Sequence, residues 1–91
     1  MNRLEIAAVK LKQIDAFSVA SICSSLIVLL EGSRSTLKSL DHIRWAENRL
    51  FGARDSLMDL GMNSQKTVEI RAYIEDALAG IEEIRKGIAA C

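Results

Sequence analysis

The sequence predicts an all-α protein, and three observations carry that prediction. In the last third, Ile70, Ile74, Ala77, Ile81, Ile84, Ile88 and Cys91 recur at alternating four- and three-residue spacing. That spacing keeps the side chains on one seam of a slightly under-wound helix, as in knobs-into-holes packing. The 91 residues contain no proline, which leaves long helices unobstructed. Apolar residues make up 49% of the chain, with 11 Leu, 10 Ile and 11 Ala against one Trp, one Tyr and two Phe. Small and aliphatic side chains with few rings suit close helix–helix contact better than a cavity for a large cofactor.

The first helix is expected over about 2–31. Leu4, Ala8, Leu11, Val19, Ile22, Leu26 and Leu29 share one face, with Val9, Ala16, Ala20, Cys23, Ile27 and Leu30 beside it. Asp15 interrupts the first strip and is expected at a bundle opening or seam edge. Gly32 is a candidate helix terminator, and Ser33 or Ser35 can cap the next helix. The second helix, about 36–60, buries Ile43, Ala46, Leu50, Ala53, Leu57 and Leu60, with Leu37, Leu40, Phe51 and Met58 broadening that seam. Gly61 ends it, Met62 folds back on it, and Asn63 or Ser64 opens a third helix over about 65–90. Glu82 and Lys86 stand at i,i+4 spacing on that helix, which favours an ion pair.

Short turns set neighbours antiparallel, so the expected architecture is a single-domain (1–91) up-down-up three-helix bundle. Helices of 25–30 residues make rods roughly 35–45 Å long at 1.5 Å per residue. Three slender rods leave apolar surface uncovered, and self-association, as a homodimer, is expected to complete the bundle.

Composition narrows the function. Twelve basic and twelve acidic residues cancel, whereas nucleic-acid binders usually carry a clustered basic excess. Ala16 to Leu30 is free of charge but holds only fifteen residues, four of them serine. A membrane span needs roughly 20 predominantly apolar residues, so this stretch reads as a buried helix. The scattered N-terminal charges do not resemble a signal peptide. The default location is cytoplasmic, with Cys23 and Cys91 reduced.

No catalytic, nucleotide-binding or metal signature appears, and no cofactor is expected. His42 is the sole histidine and lacks partners at ligand spacing. Glu75, Asp76, Glu82 and Glu83 read as a solvated outer face rather than a di-metal site, which would need inward carboxylates and Glu-x-x-His. Two surfaces are candidates for recognition. Trp45 lies roughly 200° from Ile43 around its helix, near His42 and Arg49, and an exposed tryptophan beside arginine has the composition of a binding hot spot. Ala77, Gly80, Ile81, Gly87 and Ile88 form the other, a self-association surface. Glycine inside a helix costs about 1 kcal/mol relative to alanine, so close approach by another helix is a reason to keep it. Ser18, Ser21 and Ser25 make a second small ridge, which packing inside the chain would set against those glycines.

The expected function is a non-enzymatic protein-interaction module acting by surface occupancy: a small adaptor, chaperone-like subunit, or phage- or plasmid-type inhibitor. The alternative is a nucleic-acid-associated regulator using Lys38, Arg44, Arg49 and Arg54 as phosphate contacts.

Overall fold

Four helices rather than three follow one another along the chain: α1 (Arg3–Gln13), α2 (Phe17–Gly32), α3 (Thr36–Asp59) and α4 (Gln65–Ala90). They are seen in a computed structural model that describes residues 2–59 and 64–90. No strand occurs among the described residues.

The expected first helix is broken at Asp15, and the break decides the architecture. The Asp15 backbone takes φ of 63°, the left-handed region that aspartate tolerates better than most residues. Ala16 N–H donates to the Leu11 carbonyl at 2.9 Å and Asp15 N–H to the Lys12 carbonyl at 3.1 Å. These paired bonds are a Schellman motif, with aspartate where glycine is usual. Ala16 and Leu11, the two positions whose apolar contact normally accompanies that motif, are both buried.

The other ends follow local chemistry. Asn2 Oδ1 accepts the Glu5 N–H at 2.8 Å and opens α1. Ser35 Oγ accepts the Lys38 N–H at 3.1 Å, and Ser64 Oγ accepts the Thr67 N–H at 3.1 Å, opening α3 and α4. Each satisfies an N–H that the first helical turn leaves without a partner. Gly32 does not terminate α2 as expected: it stays helical, and the Ser33 hydroxyl donates to the Leu29 carbonyl at 2.8 Å. The termination expected at Leu60, Gly61, Met62 and Asn63 lies outside the described residues.

Cross-helix contacts fix the direction of each rod. Arg3 reaches Asp76 and Glu83, Gly80 abuts Leu4, and the Lys10 ammonium sits 5.6 Å from the Tyr73 ring centroid. Rising numbers on α1 therefore meet falling numbers on α4. Arg54 meets Glu75 and Arg85 meets Glu47, so α3 and α4 are antiparallel too. With short turns joining α1 to α2 and α2 to α3, the chain forms an up-down-up-down bundle measuring 42 × 23 × 19 Å. The sequence pattern called for another helix to cover three rods. Folding back at Asp15 supplies it from the same chain.

The core lies along the common axis. Leu4 and Leu11 from α1, Cys23 and Leu26 from α2, Ile43 and Leu50 from α3, and Ile74 and Ile81 from α4 are fully buried. No polar or charged side chain is buried among the described residues. No helix is long and apolar enough to cross a membrane, among the described residues.

Candidate functional site

The proposed self-association surface on α4 is largely internal. Ala77 and Ile81 have no exposed surface and Gly80 is buried. A Cβ built on Gly80 would stand 2.6 Å from the Leu4 backbone nitrogen and 3.1 Å from Arg3 Cβ. Glycine is thus required at position 80, and what approaches it is α1 of the same chain. A Cβ at Gly87 meets nothing within 4 Å; Gly87 is exposed and Ile88 half-buried. The expected meeting of the serine ridge with these glycines does not occur, because α1 takes that place. Ser18 and Ser21 are exposed instead.

The outer carboxylates of α4 each face an arginine. Glu75 accepts from Arg54 at 3.1 Å, Asp76 and Glu83 lie 3.5 and 3.3 Å from Arg3, and Glu82 lies 2.5 Å from Arg85. Glu82 therefore pairs with Arg85 rather than with Lys86. Arg85 also bonds Glu47 on α3, and that hydrogen bond holds its guanidinium pKa above the ordinary value. Among the described residues, no three His, Cys, Asp or Glu side chains converge as metal ligands would.

The basic residues of α3 do not converge either. At 100° per residue, Lys38 and Arg49 lie about 20° apart, but Arg44 and Arg54 lie about 120–160° around the helix from both. Arg54 turns to α4, where it bonds Glu75 and stacks 5.0 Å from the Phe51 ring centroid.

Ile43 is fully buried and Trp45 exposed, as the seam pattern dictates, but Leu37 and Phe51, expected to broaden that seam, are exposed too. Arg49 is exposed and His42 half-buried. Among the described residues the cation–π pairs are Lys10–Tyr73 and Arg54–Phe51, so Arg49 does not stack on the indole. Counting from Arg34 in the turn, Trp45 lies eleven residues onward and Cys23 eleven back. Equal rise per residue sets them at the same height. Trp45 thus stands level with the middle of α2.

The surface that stands out is the outer face of α2. Its inner face, Val19, Ala20, Cys23 and Leu26, is buried. Burial raises the Cys23 thiol pKa to about 11, keeping it a neutral, unreactive core group. Opposite lie Phe17 at 57% exposed and Val28 at 67%, with Leu29 also exposed and Ser18, Ser21 and Ser24 between them. From Phe17 to Leu30 the helix has no charged residue. Monomeric proteins seldom leave a run of apolar surface open without a use for it. The sequence signal was the charge-free stretch Ala16–Leu30, which reads as burial within the chain until the break at Asp15 turns one side outward.

No family model, curated protein or solved structure matches this chain.

Proposed function

We propose that this protein is a non-enzymatic interaction module that acts in the cytoplasm, as a homodimer, by occupying the surface of another protein. Adaptor, chaperone-like subunit and inhibitor are the roles open to such a module. One observation carries the reading: α2 presents Phe17, Val28 and Leu29 to water on a face whose one charge is Glu31 at its end, while the core is already closed by other residues. Those side chains contribute little to the fold, and exposing them costs solubility, so a contact outside the chain accounts for them. Trp45, with His42 and Arg49, is the candidate contact for a foreign partner, beside the α2 face rather than within it.

The alternative, a nucleic-acid-associated regulator, draws little support from the arrangement of its residues. Lys38 and Arg49 share one side of α3, but Arg44 and Arg54 lie about 120–160° around the helix from them, and Arg54 is held by Glu75. Phosphate binding needs cations gathered on one face.

The test places a photo-cross-linking amino acid at Val28 and, as a control, at Asp41 on the charged outer face of α3, with irradiation in the native cell. Discrete cross-linked products from position 28 and none from position 41 are expected. Products from neither position, or equally from both, contradict the proposal.

A further inference from the structure

We infer that the outer face of α2 docks on the same face of a second copy of this chain, the two helices antiparallel about a two-fold axis between Ser21 and Ser24. The inference rests on the reading of α2 as an interaction surface and names what covers it.

The order of side chains is the first argument. Phe17, Ser21, Ser24 and Val28 follow at intervals of four, three and four, which keeps them within about 60° of one another on the helix. That series reads the same in either direction. A two-fold rotation therefore sets each Phe17 opposite the second copy's Val28, and each Ser21 opposite its Ser24. Isologous contacts have this reciprocity: residue i meets j, and j meets i.

Shape is the second. The serines leave two shallow depressions between the large side chains. One, of about 260 Å³, is lined by Lys12, Phe17, Ala20, Ser21 and Ser24. The other, of about 460 Å³, is lined by Ser24, Ser25, Val28 and Leu29. In the antiparallel arrangement the Phe17 ring enters the depression beside the second copy's Val28, and Val28 enters the one beside its Phe17. Knobs meet holes in both halves of the contact.

Charge is the third. The outer faces of α1, α3 and α4 all carry charged side chains, among them Lys12, Asp41, Arg44, Glu82 and Glu83. Laying such a face over α2 would strip water from charges and offer them nothing in return. Among the described helices, α2 presents the outer face poorest in charge, Glu31 alone standing on it at its C-terminal end, so a second α2 is the matching cover this chain provides. Lys12 stands at the rim, where its stem can lie on the contact and its ammonium stay in water. Two helices of four turns bury on the order of 500 Å² per copy, less than the ~800 Å² per partner of a standard interface. The dimer is accordingly one that dissociates on dilution.

Sedimentation equilibrium of the full chain under reducing conditions tests this. The mass is expected to rise with concentration from 10.0 kDa towards twice that value and stop there. Phe17→Lys and Val28→Asp should each raise the dissociation constant at least about tenfold, because each sets a lone charge against an apolar side chain. Both positions are exposed, so helical content should be unchanged. Phe17→Lys combined with Val28→Asp should restore the dimer, since each lysine then faces an aspartate across the axis. Within one chain those residues lie about 16 Å apart along the helix and cannot pair. A chain that stays monomeric at every concentration overturns the inference, and so does a dimer that the combined variant fails to restore. A monomer that still cross-links through position 28 to a different protein overturns this inference and leaves the reading of α2 standing. Absence of any cross-link from position 28 sinks that reading itself.

Discussion

Helix α4 turns Glu75, Asp76, Glu82 and Glu83 outward; three of them meet arginines of α1 or α3, and Glu82 meets Arg85 of α4 itself. Helix α2 turns Phe17, Ser21, Ser24 and Val28 outward to water. The two rods lie diagonally across one small bundle, each packed against α1 and α3, and their outer faces differ in kind. The α4 surface belongs to the fold: its charges join α1 and α3 to it, and its glycine at position 80 admits the α1 backbone. The α2 surface joins nothing within the chain. The charged face is thus part of the fold, while the apolar one is left for the contact we propose.

The sharpest way to break this comparison is at Gly80. Gly80→Leu drives a side chain into the Leu4 backbone, 2.6 Å from where even a Cβ would stand. Overpacking typically costs 1–3 kcal/mol, and against rigid backbone a loss of about 3 kcal/mol or more is expected. For a chain this short that lowers the melting temperature by more than about 10 °C. An unchanged melting temperature would mean that α1 does not lie on α4.

The inner face of α2 is tested through Cys23. Its thiol pKa is raised by burial from 9.0 to about 11, so the folded state holds the proton that the unfolded chain releases. The stability this contributes is full below pH 9.0, and is lost as pH rises from there towards 11. The slope approaches about 1.4 kcal/mol per pH unit. Melting temperatures at about pH 8 and 10.5 should differ less in Cys23→Ala than in the unmodified chain. An equal difference would place Cys23 in water.

Arg85→Ala should cost about 1–2 kcal/mol, since hydrogen bonds to charged groups are worth roughly 1.5–3 kcal/mol and this one is only half-buried. The loss, measured by urea denaturation, should shrink in high salt. A smaller gain is expected from Asp15→Gly, about 0.5–1 kcal/mol, because glycine enters the left-handed region without steric cost. A destabilised Asp15→Gly variant would show that α1 and α2 are one continuous helix.

Asp15 also shows where the sequence was hard to read. Helices α3 and α4 were legible because their seams run unbroken, Ile43 to Leu57 and Ile70 to Ile88, and serine caps mark their starts. The break between α1 and α2 has no glycine or proline to announce it. One aspartate in the left-handed conformation does the work, within a stretch whose apolar strips continue on either side. That single residue also decides which side of α2 is outside. In a continuous helix of 30 residues, Ser18, Ser21 and Ser25 could face the glycines of α4. Once the chain folds back, α1 fills that position, and Ser18 and Ser21 turn to solvent while Ser25 is half-buried. The candidate surface was therefore visible as composition, a charge-free segment, but its orientation was not. Gly80 misled for a related reason: the need for close approach was legible, while the identity of the approaching helix depended on the same turn.

The central claim, that α2 faces outward for a partner rather than for the fold, is tested most directly at Val28. Val28→Arg should leave the melting temperature of the monomer within about 0.5 kcal/mol equivalent of the unmodified chain, as surface changes do, and should keep the sedimenting mass at 10.0 kDa where the unmodified chain associates. A variant that unfolds, or one that associates as readily as the original, would contradict it.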